Sequence, residues 1–332
     1  MDPFLVLVAV IAAALTFSLV NGWHDGASSI SAVVYTGGLK PRSATAVSAV
    51  FNFLGPLVVG TAVAKTIGTE IIPEGRVTLP LALAALLSAI AWDCLTWVWG
   101  LPVSSGHALV GGLVGAGVAS YGLSGVKWWD LIEKVVVPMA ASPLAGFSAS
   151  FTVMKCLSRL SASSTKLNKY FNLSQIPLAA FLSFSHGAND AQKTVGVIAM
   201  VLAAFHNAPF RVPAWVPVAC AAAMGLGTYL NVKSWRIMKT LGERITQLEP
   251  PHGCSANLSA SLVIFLASIF GAPVSTTHVA TSSIAGVGAS FGLSRVSWRV
   301  IKSIIVAWAT TLPFCMGVGA LIYWALMKAV LF

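Results

Sequence analysis

Two short motifs place ionisable side chains where they can bind ions. Asn21-Gly22-Trp23-His24-Asp25-Gly26-Ala27 and His186-Gly187-Ala188-Asn189-Asp190-Ala191-Gln192 align 165 positions apart, and each carries one carboxylate, Asp25 or Asp190, at the same place. A second pair, Gly100-Leu101-Pro102-Val103-Ser104-Ser105-Gly106-His107 and Gly271-Ala272-Pro273-Val274-Ser275-Thr276-Thr277-His278, aligns 171 positions apart. Proline followed by Ser or Thr reads as a turn entering a helix, whose unpaired amides and hydroxyls suit a small oxyanion. Ser104, Ser105, Ser275, Thr276 and Thr277 would supply the hydroxyl donors, with Asn189 beside them. An anion next to Asp25 and Asp190 is repelled unless a cation binds too, so charge balance itself calls for a coupled ion. A proton, sodium or a divalent metal can each meet that need. Lys193 stands where the first motif has Ser28, and its ammonium can take the place of a metal ion. His24, His107, His186 and His278 have the right ordinary titration range for proton handling, and Asn21, His107 and His278 are also candidates for gating. Plainer readings exist for each group: an Asp190–Lys193 ion pair at i,i+3, hydrogen-bonded structural histidines, and small Ser, Thr and Gly residues packing membrane helices tightly.

The elements that position these residues lie in a membrane. Of 332 residues, 57% are apolar and 9% charged, whereas soluble domains are about 25% charged. Cys94 to Val126 and Pro250 to Ser294 contain no fixed charge, and a crossing helix needs only about 20 apolar residues. Apolar runs predict spans at 4–36, 44–64, 77–99, 104–121, 131–154, 174–205, 213–231, 257–271, 277–292 and 300–327. The first and sixth exceed one crossing and contain the Asp25 and Asp190 motifs, which reads as helices broken in mid-membrane. Asp25, Asp93, Asp190 and Lys193 are the fixed charges that lie away from the ends of these runs, and intramembrane ionisable residues are functional by default. Asp93 has no partner in the repeat and is expected to bond to neighbouring polar groups.

The net charge of +10 follows the positive-inside bias and calls for no nucleic acid. With the N-terminus outside, thirteen bases face the cytoplasm and six the exterior, and both termini lie outside. Cys94, Cys156, Cys220, Cys254 and Cys315 show no metal spacing and no expected disulfide. The N-terminus lacks the basic region and cleavage site of a secretory signal, so the first helix is expected to be retained. Five spans on each side of a basic stretch give an N-terminal repeat at 1–154, a cytoplasmic connector at 155–173 and an inverted C-terminal repeat at 174–332. A third pair of blocks, Ala119–Trp128 and Ala289–Trp298, keeps the same order and nearly the same offset. The expected fold is an all-α polytopic membrane protein of about 10–12 transmembrane helices, in two inverted repeats with re-entrant turns at the midplane. Inverted repeats with interrupted helices mark secondary transporters, and no Walker A motif suggests ATP coupling. An intramembrane hydrolase built on Ser185-His186, or on Ser104 with His107 and Asp93, is the enzymatic alternative, and a passive anion channel the other. Neither explains a duplicated motif as well as a transporter does, and no enzyme activity is expected.

Asn21-Gly-Trp-His-Asp25, His186-Gly-Ala-Asn-Asp190-Ala-Gln-Lys193 and the two Pro-Val-Ser-[Ser/Thr]-x-His blocks resemble those of the PiT family of inorganic phosphate transporters, over essentially the whole chain. The resemblance implies secondary active uptake of inorganic phosphate across the plasma membrane and commonly a homodimer. It assigns Asp25 and Asp190 to the ion and phosphate site, together with the Ser and Thr of the Pro-Val-Ser blocks. His24 stands where sodium-coupled members often have Asn, and Ser28 and Lys193 also depart from their pattern. Similarity to the bacterial low-affinity branch implies proton coupling, a divalent metal carried with phosphate, and a bacterial inner-membrane location. Sodium coupling and a sulfate permease on the same fold are the alternatives. No resident cofactor is implied, and a PhoU-like cytoplasmic protein is a partner that the basic loops would suit.

Overall fold

The helices begin and end where their terminal residues dictate. Proline occupies the first turn of four of them, where its missing N–H costs nothing. The Asp2 carboxylate accepts from Phe4 N at 2.9 Å to cap the first. A computed structural model of the chain describes residues 2–161, 165–231 and 235–331. They form α1 (Pro3–Tyr35), α2 (Pro41–Val58), α3 (Ala62–Thr69), α4 (Leu79–Trp99), α5 (Ser105–Tyr121), α6 (Trp128–Leu131), α7 (Val137–Ser161), α8 (Thr165–His206), α9 (Trp215–Leu230), α10 (Trp235–Lys239), α11 (Pro250–Ile269), α12 (Thr276–Ser290) and α13 (Trp298–Leu331). No strand occurs among the described residues. α6 runs into α7 through a π-helical turn at Ile132–Val136, and α10 continues through another at Thr240–Arg244.

Among the described residues, six segments are long and apolar enough to cross a bilayer, those of α1, α4, α5 with its short extension to Gly125, α6–α7, α11 and α13. Two bent pairs, α2 with α3 and α9 with Trp235–Arg244, each turn through 74° and bring the candidate spans to eight. The chain is thus a multi-pass helical membrane protein. α12, at 15 residues, is too short to cross alone. Large apolar side chains stay exposed on the outer surface, Phe270 and Trp129 among them, as lipid-facing positions require.

The expected breaks lie elsewhere than at the Asp25 and Asp190 motifs. α1 and α8 run continuously through both. The chain is instead interrupted at Gly100–Ser104 and Gly271–Ser275, just before α5 and α12. Gly100 and Gly271 take positive φ of 68° and 72° there, a conformation that glycine adopts without steric penalty and that commonly ends helices. The glycines inside α1 and α8 serve close approach: a Cβ on Gly22 would sit 2.2 Å from Met224 O, and one on Gly187 2.3 Å from Asn52 O.

The packing interleaves the two halves of the sequence. α1 lies against α9 and α2 against α8, while α5 packs on α13 and α12 on α7. The stretch 155–173 is no free loop, since 155–161 close α7 and 165–173 open α8. Residues 162–164 of that connector, and Lys233 of the bases behind the expected topology, lie outside the described residues. The α5–α13 contact gives a test of this close packing, because a Cβ on Gly115 would fall 2.0 Å from Met316 O whereas one on Gly317 would meet nothing within 4 Å. Gly115→Ala should lower the thermal stability of the detergent-solubilised protein by about 1–3 kcal/mol, and Gly317→Ala should change it by less than about 0.5 kcal/mol.

Candidate functional site

The two carboxylates are held by matching bonds. Ser105 Oγ donates to Asp25 Oδ2 at 2.9 Å, and Thr276 Oγ1 donates to Asp190 Oδ2 at 2.9 Å. Each bond ties a long helix to the first residue of a short one, so the starts of α5 and α12 are drawn to the same point. There Asp25, Asp190 and His186 bring their acceptor atoms within 4.8 Å of one another, all three residues buried. This trio can hold a metal ion or another cation.

Nitrogen donors on the same helices complete the two carboxylates differently. Lys193 is wholly buried, and its Nζ donates to Asp190 Oδ1 at 2.6 Å and to Val274 O at 2.7 Å. It fits because Gly106 faces it: a Cβ there would stand 2.7 Å from Nζ. The equivalent of Gly106 in the second half is Thr277, and the equivalent of Lys193 in the first is Ser28, which turns back to Asp25 O. The two halves therefore exchange a long cation and a glycine for two hydroxyls. Asp25 Oδ1 instead meets His24 Nδ1 at 2.8 Å. His24 Nε2 lies 3.1 Å from Thr96 Oγ1, whose own proton goes to Trp92 O at 2.9 Å. Both ring nitrogens of His24 therefore face side-chain oxygens, and a doubly protonated ring would donate to each. His186 has the opposite arrangement. Asn52 Nδ2 donates to Ser48 and Thr228, leaving its Oδ1 to accept from His186 Nδ1 at 2.7 Å. His186 Nε2 then points its lone pair towards Asp190 Oδ2 at 3.4 Å and lacks a hydrogen bond. A cation between these two acceptors would satisfy both.

The remaining residues singled out in the sequence divide by role. Ser104 and Ser275 cap α5 and α12, accepting from His107 N at 3.1 Å and His278 N at 3.2 Å. The amides of Ser105, Gly106, Thr276 and Thr277 remain as free first-turn donors, and the buried Thr277 hydroxyl is unpaired. The Asn189 side chain fastens the turn before α12, donating to Ser268 Oγ and Ala272 O and accepting from Val274 N. His107 and His278 stack on each other with centroids 4.8 Å apart, and Trp308 stacks on His278 at 3.7 Å. Asn21, one turn before Asp25, leaves its buried Oδ1 without a donor. Asp93 departs from expectation: it is fully buried, and neither carboxyl oxygen has a hydrogen-bond partner. Ser185 donates to Phe181 O and Ser104 caps a helix, so neither forms the serine–imidazole pair a hydrolase needs. Thr96, Asn52 and Trp308 carried no motif that would have flagged them. What connects them to the site is contact across helices alone.

The Phosphate transporter family matches residues 21–319. A "Probable low-affinity inorganic phosphate transporter" of Rhizobium meliloti (strain 1021) is 42% identical over 326 residues, covering 97% of each chain. One of the same description from Bacillus subtilis (strain 168) is 41% identical, covering 98% of this chain and 99% of the relative. A solved structure described as "The sodium-dependent phosphate transporter" superposes with a TM-score of 0.87 at 24% identity, over 97% of this chain and 99% of that one. At that identity the superposition speaks for the fold.

The buried ion pair makes a test by double substitution. Asp190→Asn strands the Lys193 ammonium and should cost about 3–5 kcal/mol of stability in a thermal melt. Adding Lys193→Met should recover most of that loss. Full stability of the single variant would show that the buried Lys193 ammonium does not depend on Asp190 for its charge balance.

Proposed function

The chain belongs to the Phosphate transporter family, and on that premise we propose that it imports inorganic phosphate across the bacterial inner membrane by proton-coupled symport. The observation that carries the coupling is the pair of nitrogen cations at the two carboxylates. Asp190 is balanced by the Lys193 ammonium, which cannot leave with the substrate. Asp25 is balanced by His24, whose proton can. One carboxylate is therefore balanced permanently by the protein, and the other by an imidazole, a group that can give up its proton.

Phosphate would bind between the free amides at the starts of α5 and α12, where the helix dipoles favour negative charge. Ser105 and Thr276 would release their carboxylates and turn to its oxygens, with Thr277 adding a third hydroxyl. The unpaired Asn21 Oδ1 supports phosphate over sulfate: it is an acceptor, and near neutral pH only phosphate has a proton to give. His186 with Asp25 and Asp190 would hold a divalent metal carried with the phosphate. Loss of the proton from His24 after inward opening would leave Asp25 uncompensated and draw in a new proton from outside.

The halves 1–154 and 174–332 would act as inverted repeats that rock against each other, with both termini outside. This is supported by the recurrence of the helix order, the paired 74° bends and the matching Asp–hydroxyl bonds. The contact that must open is the His107–His278–Trp308 stack, which joins the halves.

The test is uptake of radiolabelled phosphate into proteoliposomes under an imposed proton gradient, then a sodium gradient, with excess sulfate as competitor. Wild-type protein should accumulate phosphate with the proton gradient and resist sulfate. His24→Asn should cut the accumulation by about tenfold for each pH unit imposed. Uptake driven by sodium alone would replace the proton with sodium at Asp25, and flux indifferent to both gradients would make the protein a passive pathway.

A further inference from the structure

Asp93 is a fully buried carboxyl, on α4, with no hydrogen bond to either oxygen. No lysine, arginine or histidine forms an ion pair with it among the described residues. An ionised carboxylate in that setting loses its hydration and receives nothing in return, whereas the neutral acid forgoes only a hydrogen bond.

Its surroundings place it beside the transport site. His24 and Asp25 on α1 and Asp190 on α8 lie within electrostatic reach. The Ser105 hydroxyl on α5 is also near but donates to Asp25. The other titratable group of α5, His107, is stacked on His278. On α13 the neighbour is Cys315, and on α4 itself Cys94. On α10, Arg236 is engaged with Val98 O at 2.6 Å. Thr96, one turn along α4, holds His24 Nε2, so any change at His24 reaches the helix that carries Asp93. The one base in reach is therefore His24, and it is turned to Asp25 and Thr96.

We propose that Asp93 is a second proton-carrying group of the transport cycle, a neutral carboxylic acid in this arrangement that ionises when the site opens. On release the O–H bond breaks, the electron pair stays on the carboxyl oxygen, and the proton passes to water admitted on the open side. Reprotonation from the other side completes the cycle. The inference rests on the proton-coupled reading above and adds to it one coupled proton, separate from that on His24. Asp93 also supplies what a symmetric site lacks, since its counterpart in the second half is not acidic: α11 contains no Asp or Glu.

The experiment compares wild type, Asp93→Asn and Asp93→Glu in proteoliposomes by two transport readouts and an infrared spectrum. Asparagine mimics the neutral acid in size and polarity, so phosphate self-exchange at equal pH should persist. Equilibrium accumulation should fall about tenfold for one pH unit imposed, the contribution of a single coupled proton, and Asp93→Glu should restore it. The wild-type spectrum should show the carbonyl stretch of a protonated carboxylic acid that Asp93→Asn removes. Accumulation by Asp93→Asn equal to wild type, or an unchanged carbonyl band, overturns the proposal. Loss of self-exchange along with accumulation also overturns it, because Asp93 would then belong to substrate binding. Failure of the wild type itself to follow the proton gradient is the separate result that removes the proton-coupled reading, and Asp93's coupling role with it.

Discussion

Two carboxylates buried within 4.8 Å of each other and of His186 are the constraint on which the rest of this structure depends. Neither can remain charged in an apolar interior without donors. The donors come from four elements: hydroxyls from the first residues of α5 and α12, and nitrogens from α1 and α8 themselves. That requirement explains why α1 and α8 stay helical through their polar motifs. Unwinding Asp25 or Asp190 would break the local geometry that sets His24 and Lys193 against them. It explains as well why α5 and α12 begin deep in the fold, each capped by a serine and preceded by a glycine-terminated helix.

The close approach of helices is the second requirement, and glycine meets it. Gly22 and Gly187 sit inside the motifs because other backbones pass within a few ångströms of them. Gly106 makes room for the Lys193 ammonium, which joins the second half of the chain to the first. With α5 lying on α13 and α12 on α7, neither half has a complete core alone.

Much of the site could be read directly from the residues. The paired aspartates, the Ser and Thr at the helix starts and the serine caps all appear in the repeats, since repetition marks positions that share a role. Glycine and polar residues within the apolar runs of α1 and α8 resemble helix breaks, yet both helices are continuous there. In a membrane helix such residues are equally suited to packing and to internal hydrogen bonding, and local sequence does not distinguish the two. The unpaired state of Asp93 is likewise invisible locally, because whether a buried carboxyl has a partner depends on side chains from other helices.

Composition, charge spacing and repetition by themselves determined that this is a helical membrane protein with two matching carboxylate motifs, because hydropathy, helix capping and turn chemistry act over a few residues. The tertiary structure alone decided which polar groups are paired. Thr96 meets His24 across 72 positions and Asn52 meets His186 across 134, while neither carboxyl oxygen of Asp93 has a hydrogen-bond partner. Those pairings matter because the cost of a buried charge is set by the partners that the fold brings to it.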